Sequence, residues 1–224
     1  SKQDAALFAG IRGNSVSIKN LAIADSSLAT TANYAAAFAG QAFNSSVSVF
    51  ENCYVYDTVT VTANNSTAGF IGGGTCASIL FKNCASFANV TTAITSGNRY
   101  GSFVGGLVYN NGTGDARKIT YNSCIGNIAY TNYAQYPTYT ASYCAVQGTV
   151  DSGNKAYPTV ASLDNMKGDS AKTNMPELNW EAWKTTEKFP VLTFSKGPVV
   201  YSFEDWRGGT NDKSATGIKI NNEV

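Results

Sequence analysis

The chain has 224 residues, a net charge of +1 and a charged fraction of 14%. So weak a field cannot gather nucleic acid or anionic lipid, and no apolar run approaches the ~20 residues that span a bilayer, so neither partner is expected. Histidine is absent and the five cysteines form no CxxC pair, so neither a metal nor a cofactor is expected.

The chain opens at Ser1-Lys2-Gln3-Asp4, almost directly on patterned sequence, and reads as a piece of a longer protein. A first box then recurs: Leu7-Phe8-Ala9-Gly10, Ala37-Phe38-Ala39-Gly40, Gly69-Phe70-Ile71-Gly72 and Ser102-Phe103-Val104-Gly105, with Phe-to-Phe steps of 30, 32 and 33 residues. A second box follows each: Val16-Ser17-Ile18-Lys19-Asn20-Leu21, Ser48-Val49-Phe50-Glu51-Asn52-Cys53, Ile79-Leu80-Phe81-Lys82-Asn83-Cys84 and Ile119-Thr120-Tyr121-Asn122-Ser123-Cys124. Ser48 breaks the branched first position, which predicts either a local bulge or a small inward Ser. A fainter fifth copy runs from Tyr139 to Cys144, and branched residues return at Leu28, Val59 and Val90.

Alternation over runs this short is strand patterning, and strands with one apolar face bury it by stacking on the next copy. The expected fold is all-β, a right-handed parallel β-helix of about four to five coils over residues 1–160. Phe8, Phe38, Phe70 and Phe103 are expected to form one interior ladder, and Leu21, Cys53, Cys84 and Cys124 another. In such a ladder Cys serves as a small hydrophobe, with disulfides between stacked neighbours left open. Asn20, Asn52 and Asn83 are expected at a left-handed bend, with the glycines after the Phe box at a second corner.

Residues 161–195 read as a C-terminal cap of the solenoid. Met175-Pro176-Glu177-Leu178 makes a short helical turn, and Trp180 and Phe189 cover the open end. After Lys196-Gly197-Pro198 the texture changes, and residues 196–224 read as an extra strand or the start of a following β domain.

The boxes resemble the GLUG-type repeats of bacterial surface proteins, best at Phe103-Val104-Gly105-Gly106-Leu107-Val108 and Phe70-Ile71-Gly72-Gly73, and the tail from Leu163 to Leu192 is similar to the segment that closes such arrays. The resemblance covers about residues 6 to 150. It implies an exported, extracellular, cell-surface attached protein of a bacterium, such as an adhesin or an immunoglobulin A protease-like protein.

Candidate chemistry is sparse. Between Gly10 and Val150 the acids are Asp25, Glu51, Asp57 and Asp115. A glycosidase needs two carboxyls about 5 to 9.5 Å apart. Glu51 and Asp57 are six apart, but Lys19 and Lys82 flank Glu51 on neighbouring rungs, so a cross-rung ion pair is the expected role. No enzyme is expected. The binding signal is aromatic: Tyr133, Tyr136 and Tyr139, within a run from Tyr130 to Tyr143, offer flat faces with polar tips that suit a host or cell-surface glycan or protein. The expected function is a non-catalytic adhesive or spacer module, monomeric within a larger multidomain chain. The alternative is a carbohydrate-binding module of a polysaccharide-degrading system, and a carboxylate-based glycan-active enzyme ranks third.

Overall fold

In a computed structural model of the chain, the described residues are 4–13, 15–93, 99–107, 118–127, 138–142, 144–146, 163–193, 199–201 and 218–220. The fold is an all-β parallel solenoid, and its three walls follow from the repeat. On the first wall Phe8–Gly13, Ala39–Val55, Ile71–Ser86, Lys118–Asn122 and Thr138–Ser142 pair in that order, every pair parallel. The second wall stacks Ser27–Ala29, Thr60–Ala63 and Asn89–Thr92. Tyr34–Ala36, Ser66–Ala68 and Arg99–Gly101 make the third. Each coil lends its backbone hydrogen bonds to the next, so the inner strands of each wall are paired on both edges.

Register places equivalent side chains above one another, and the interior holds two aromatic columns. Phe38 and Phe70 stack at 4.7 Å and 6°, and Phe70 and Phe103 at 5.1 Å and 15°. Phe50 and Phe81 stack at 5.2 Å, and Phe81 and Tyr121 at 5.3 Å. The columns meet edge to face, as where Phe50 crosses Phe70 at 88°. All of these rings are buried. Each contributes roughly 2–3 kcal/mol by burial, with about 0.5–1.5 kcal/mol more for each favourable ring pair.

The first coil departs from expectation. Phe8 pairs with Ala39, which sets Leu7 opposite Phe38 and leaves Phe8 39% exposed. The cause lies in the second coil, where the register shifts between Asn44 and Val47. That bulge inserts one residue between the Phe column and the second box, so ten positions separate Phe38 from Ser48 but nine separate Phe70 from Ile79. Counting nine back from Val16 reaches Leu7, and Leu7 packs against the core. Beyond the bulge Ser48 does point inward, in register with Val16 and Ile79, and its buried hydroxyl has no partner among the described residues.

The bend before the thiol column is as expected. Asn20, Asn52 and Asn83 have φ of 54°, 52° and 53°, a region where Asn is tolerated because its short side chain bonds locally. The Asn52 amide donates to Oδ1 of Asn20 at 3.1 Å, linking two coils. Ser123 takes the same conformation in the fourth coil, at 53°. Past the bend Cys53, Cys84, Cys124 and Cys144 are buried, and Cys144 brings the fifth copy into the column. Sγ of Cys84 and of Cys124 each lies 3.4 Å from a carbonyl of the preceding coil, Phe50 and Phe81 respectively. Burial pushes both thiols well above the usual range, which suits packing and not nucleophilic chemistry.

The glycines after the Phe box have another role than the one expected. Gly40, Gly72 and Gly105 are not among the positive-φ residues. A Cβ on Gly72 would lie 2.8 Å from the Gly40 carbonyl and 2.9 Å from that of Ala35, and one on Gly105 would lie 2.6 Å from the Gly72 carbonyl. Close approach of two walls, not backbone conformation, demands glycine there.

The C-terminal segment also sits elsewhere than expected. It comprises a 3-10 turn at Leu163–Met166, a short helix at Ser170–Asn174 and an antiparallel pair of Trp183–Lys184 with Val191–Leu192. It lies along the flank of the solenoid and not across its end. Met166, Met175, Leu178, Trp183 and Leu192 bury themselves against Ala22, Tyr54, Ala85, Ile125 and Ala145, one residue from each of five coils. Those residues follow the inward Leu/Cys column and so face outward, an apolar stripe that water would otherwise wet. Trp183 reaches past the stripe to hydrogen-bond Oδ1 of Asn52 at 3.4 Å, and Asn122 donates to Glu177 at 3.1 Å. Trp180 donates to the Met175 carbonyl at 3.1 Å within the segment itself, and Phe189 stacks on Phe87 at 4.6 Å. Farther on, Val199–Tyr201 pairs antiparallel with Ile218–Ile220, which lies beside Ala22–Ile23.

Candidate functional site

Where the flank segment departs from the wall it encloses a cleft of about 840 Å³, within the roughly 300–1,000 Å³ of small-molecule sites. Tyr54 and Phe87 form its floor, and Phe189, Leu163 and Val191 face them from the segment. Polar tips converge on it from both sides: Tyr56, Asp57, Asn89 and Asn127 from the solenoid, and Asp164, Lys167 and Lys188 from the segment.

The polar residues sit where strands leave the first wall. Tyr56 and Asp57 follow directly on Ala39–Val55, and Asn127 follows Ile125–Gly126. The turn is held by the Asn89 amide, which donates to the Asp57 carbonyl at 3.1 Å. Asn127 donates to the Phe87 carbonyl at 3.3 Å and accepts from Ser102 at 3.1 Å. Across the cleft, Gly168, at a φ of 56°, donates its amide to the Thr186 carbonyl at 2.9 Å, and the Thr186 hydroxyl donates to the Phe189 carbonyl at 2.9 Å. Both walls are therefore fixed by their own hydrogen bonds.

The electrostatics are balanced. Lys167 pairs with Asp164 at 2.7 Å and lies 5.6 Å from the centre of the Phe189 ring. Asp57 and Lys188 engage in no ion pair among the described residues. Burial, with the nearby Tyr56 and Asp57, raises the Tyr54 phenol far above its usual value; burial, then Asp25, raises that of Tyr56. Both hydroxyls stay protonated, so each can donate as well as accept.

Of the residues singled out from sequence, Tyr133 and Tyr136 lie outside the described residues. Tyr139 falls in Thr138–Ser142, its backbone in register with Ile119. Glu51 is held by Lys19 at 2.7 Å and Lys82 at 3.2 Å, the cross-rung bridge expected, and those lysines pull its carboxyl below the usual range. Asp57 lines the cleft, which Glu51 does not. No cluster of three or more His, Cys, Asp or Glu residues suited to a metal occurs among the described residues, and no helix there is long and apolar enough to cross a membrane.

Sequence reasoning missed the cleft because its residues come from separate coils and from the tail, with no local motif. The outward apolar stripe from Ala22 to Ala145 was the available signal, since it requires a covering segment and a cover has margins. No family model, curated protein or solved structure matches the chain.

Proposed function

We propose that the chain is a non-catalytic adhesive module of a bacterial cell-surface protein, extracellular and monomeric within a larger multidomain chain, with a surface glycan or protein as its partner. The observation that carries this is the cleft: a concave site with rings on its floor and polar tips at its rim, on a scaffold whose outward apolar stripe is covered by one segment. The spacer role is the weaker half of the reading. Five coils at a rise of about 4.8 Å reach only ~24 Å, little more than one domain's width. The resemblance to GLUG-type repeats supports the compartment.

Retention of beads coated with the chain on bacterial and host cell layers tests the reading. Saturable retention, competed by the soluble chain and without release of soluble products from the surface, is expected. No retention on any layer by a folded chain would reject adhesion, and steady release of sugar or peptide products would reject the non-catalytic half.

A further inference from the structure

We infer that the cleft between the solenoid flank and the C-terminal segment binds a short, uncharged stretch of glycan through Tyr56, Asp57 and Lys188. The inference rests on the adhesive reading for its biological role, but its chemistry stands on the cleft alone.

Three features select the ligand class. The backbone of the floor is spent: the amides of Tyr56, Phe87 and Asn89 donate to the carbonyls of Ile23, Val55 and Val59, each at 2.9 Å. A peptide strand therefore finds no edge to extend. The charges cancel, with Asp164 already neutralising Lys167 and Asp57 balancing Lys188, so an anionic ligand gains no net field. What remains on offer is half-exposed ring surface at Tyr56 and Phe189, with a carboxylate and an ammonium beside it that take no hydrogen bond or ion pair among the described residues. A sugar presents that pattern in reverse: an apolar C–H face to lie on a ring, and a rim of hydroxyls that donate to a carboxylate and accept from an ammonium.

The placement of Asp57 strengthens the assignment. Its backbone carbonyl is fixed by Asn89 while its side chain is exposed, so the carboxylate is held at the cleft mouth without being consumed by the fold. Tyr56 packs against Tyr54 with ring centres 4.5 Å apart, which fixes its plane and lowers the entropy lost when a ligand stacks on it.

The test is calorimetric titration of the full chain with cellohexaose, xylohexaose and mannohexaose, and with polygalacturonate as the charged probe. Saturable binding of at least one neutral oligosaccharide is expected, insensitive to salt between low and high ionic strength. Tyr56→Ala and Asp57→Asn should each weaken it by about tenfold or more. Their melting temperatures, compared with that of the parent chain, confirm that the fold is kept. Lys188→Gln, at an exposed position, supplies a variant that leaves packing untouched and should weaken binding in the same direction. The inference is overturned if no neutral probe binds, if only polygalacturonate binds and does so salt-dependently, or if binding survives all three substitutions. Bead retention that persists without any oligosaccharide binding would sink this inference and leave the adhesive reading standing.

Discussion

The stacked coils and the segment at residues 163–193 are stabilised in opposite ways. In the coils every interior side chain meets its own counterparts, so Phe70 lies between Phe38 and Phe103, and Phe81 between Phe50 and Tyr121. In the flank segment each contact occurs once: Trp183 against Tyr54, Phe189 against Phe87, Glu177 with Asn122. Repetition distributes stability along the rod, whereas the flank concentrates it in a few anchors that tie successive coils together. A cleft can form only where those two modes part, because a perfectly repeated wall has no concavity of its own.

The contrast is broken most severely in the column itself. Phe70→Ala should cost about 3–5 kcal/mol, the range for deleting a fully buried ring, read as a fall in the urea midpoint. Phe8→Ala, in the same sequence box but exposed, should stay within about 0.5 kcal/mol. Similar losses at the two sites would return Phe8 to the column. Trp183→Ala comes next, at roughly 3 kcal/mol. Its amides in residues 163–193 should exchange faster with deuterium while Phe50, Phe81 and their strands stay protected; simultaneous loss of both would make coils and flank one cooperative unit.

Two smaller effects sharpen the coil side. Ser48→Ala removes a buried hydroxyl with no partner among the described residues and should raise stability by about 1 kcal/mol, seen as a higher midpoint. Glu51→Gln should lower stability by less than about 1 kcal/mol at neutral pH, since its bridges to Lys19 and Lys82 are partly solvated. The sign follows from the lowered carboxyl: its contribution is complete above the unfolded-state value and is lost as pH falls through the folded one. Denaturation midpoints of parent and variant should therefore converge in acid, and a gap that widens there would contradict the assignment.

Much of the coil was legible because stacking makes sequence position and spatial position the same thing. The Phe38–Phe70–Phe103 column, the Asn bend and the Lys19–Glu51–Lys82 bridge all follow from aligning copies. The bend even extends to Ser123, where the residue type changed but the backbone did not. The first coil was misread because Leu7 and Phe8 are both apolar, and the bulge before Val47 moved the count by one. Glycine at Gly72 and Gly105 was legible as a requirement but not as a mechanism, since crowding by Ala35 and Thr67 backbone arises only once the third wall is in place. Placement of the flank, and with it the cleft, depends on matching Trp183 to Tyr54 and Asn52 across more than a hundred residues. No periodicity encodes that match.

The clamp along the flank is the feature from which the cleft and its proposed ligand both follow, and proton nuclear Overhauser spectroscopy reads it directly. The Trp183 indole should show contacts to the ring of Tyr54, whose centre lies 5.8 Å from its own, and to the Ala85 methyl in the same buried cluster. Contacts instead to Leu7, Val16 and Ile18 at the open first coil would place the segment across the end of the stack and contradict the lateral clamp.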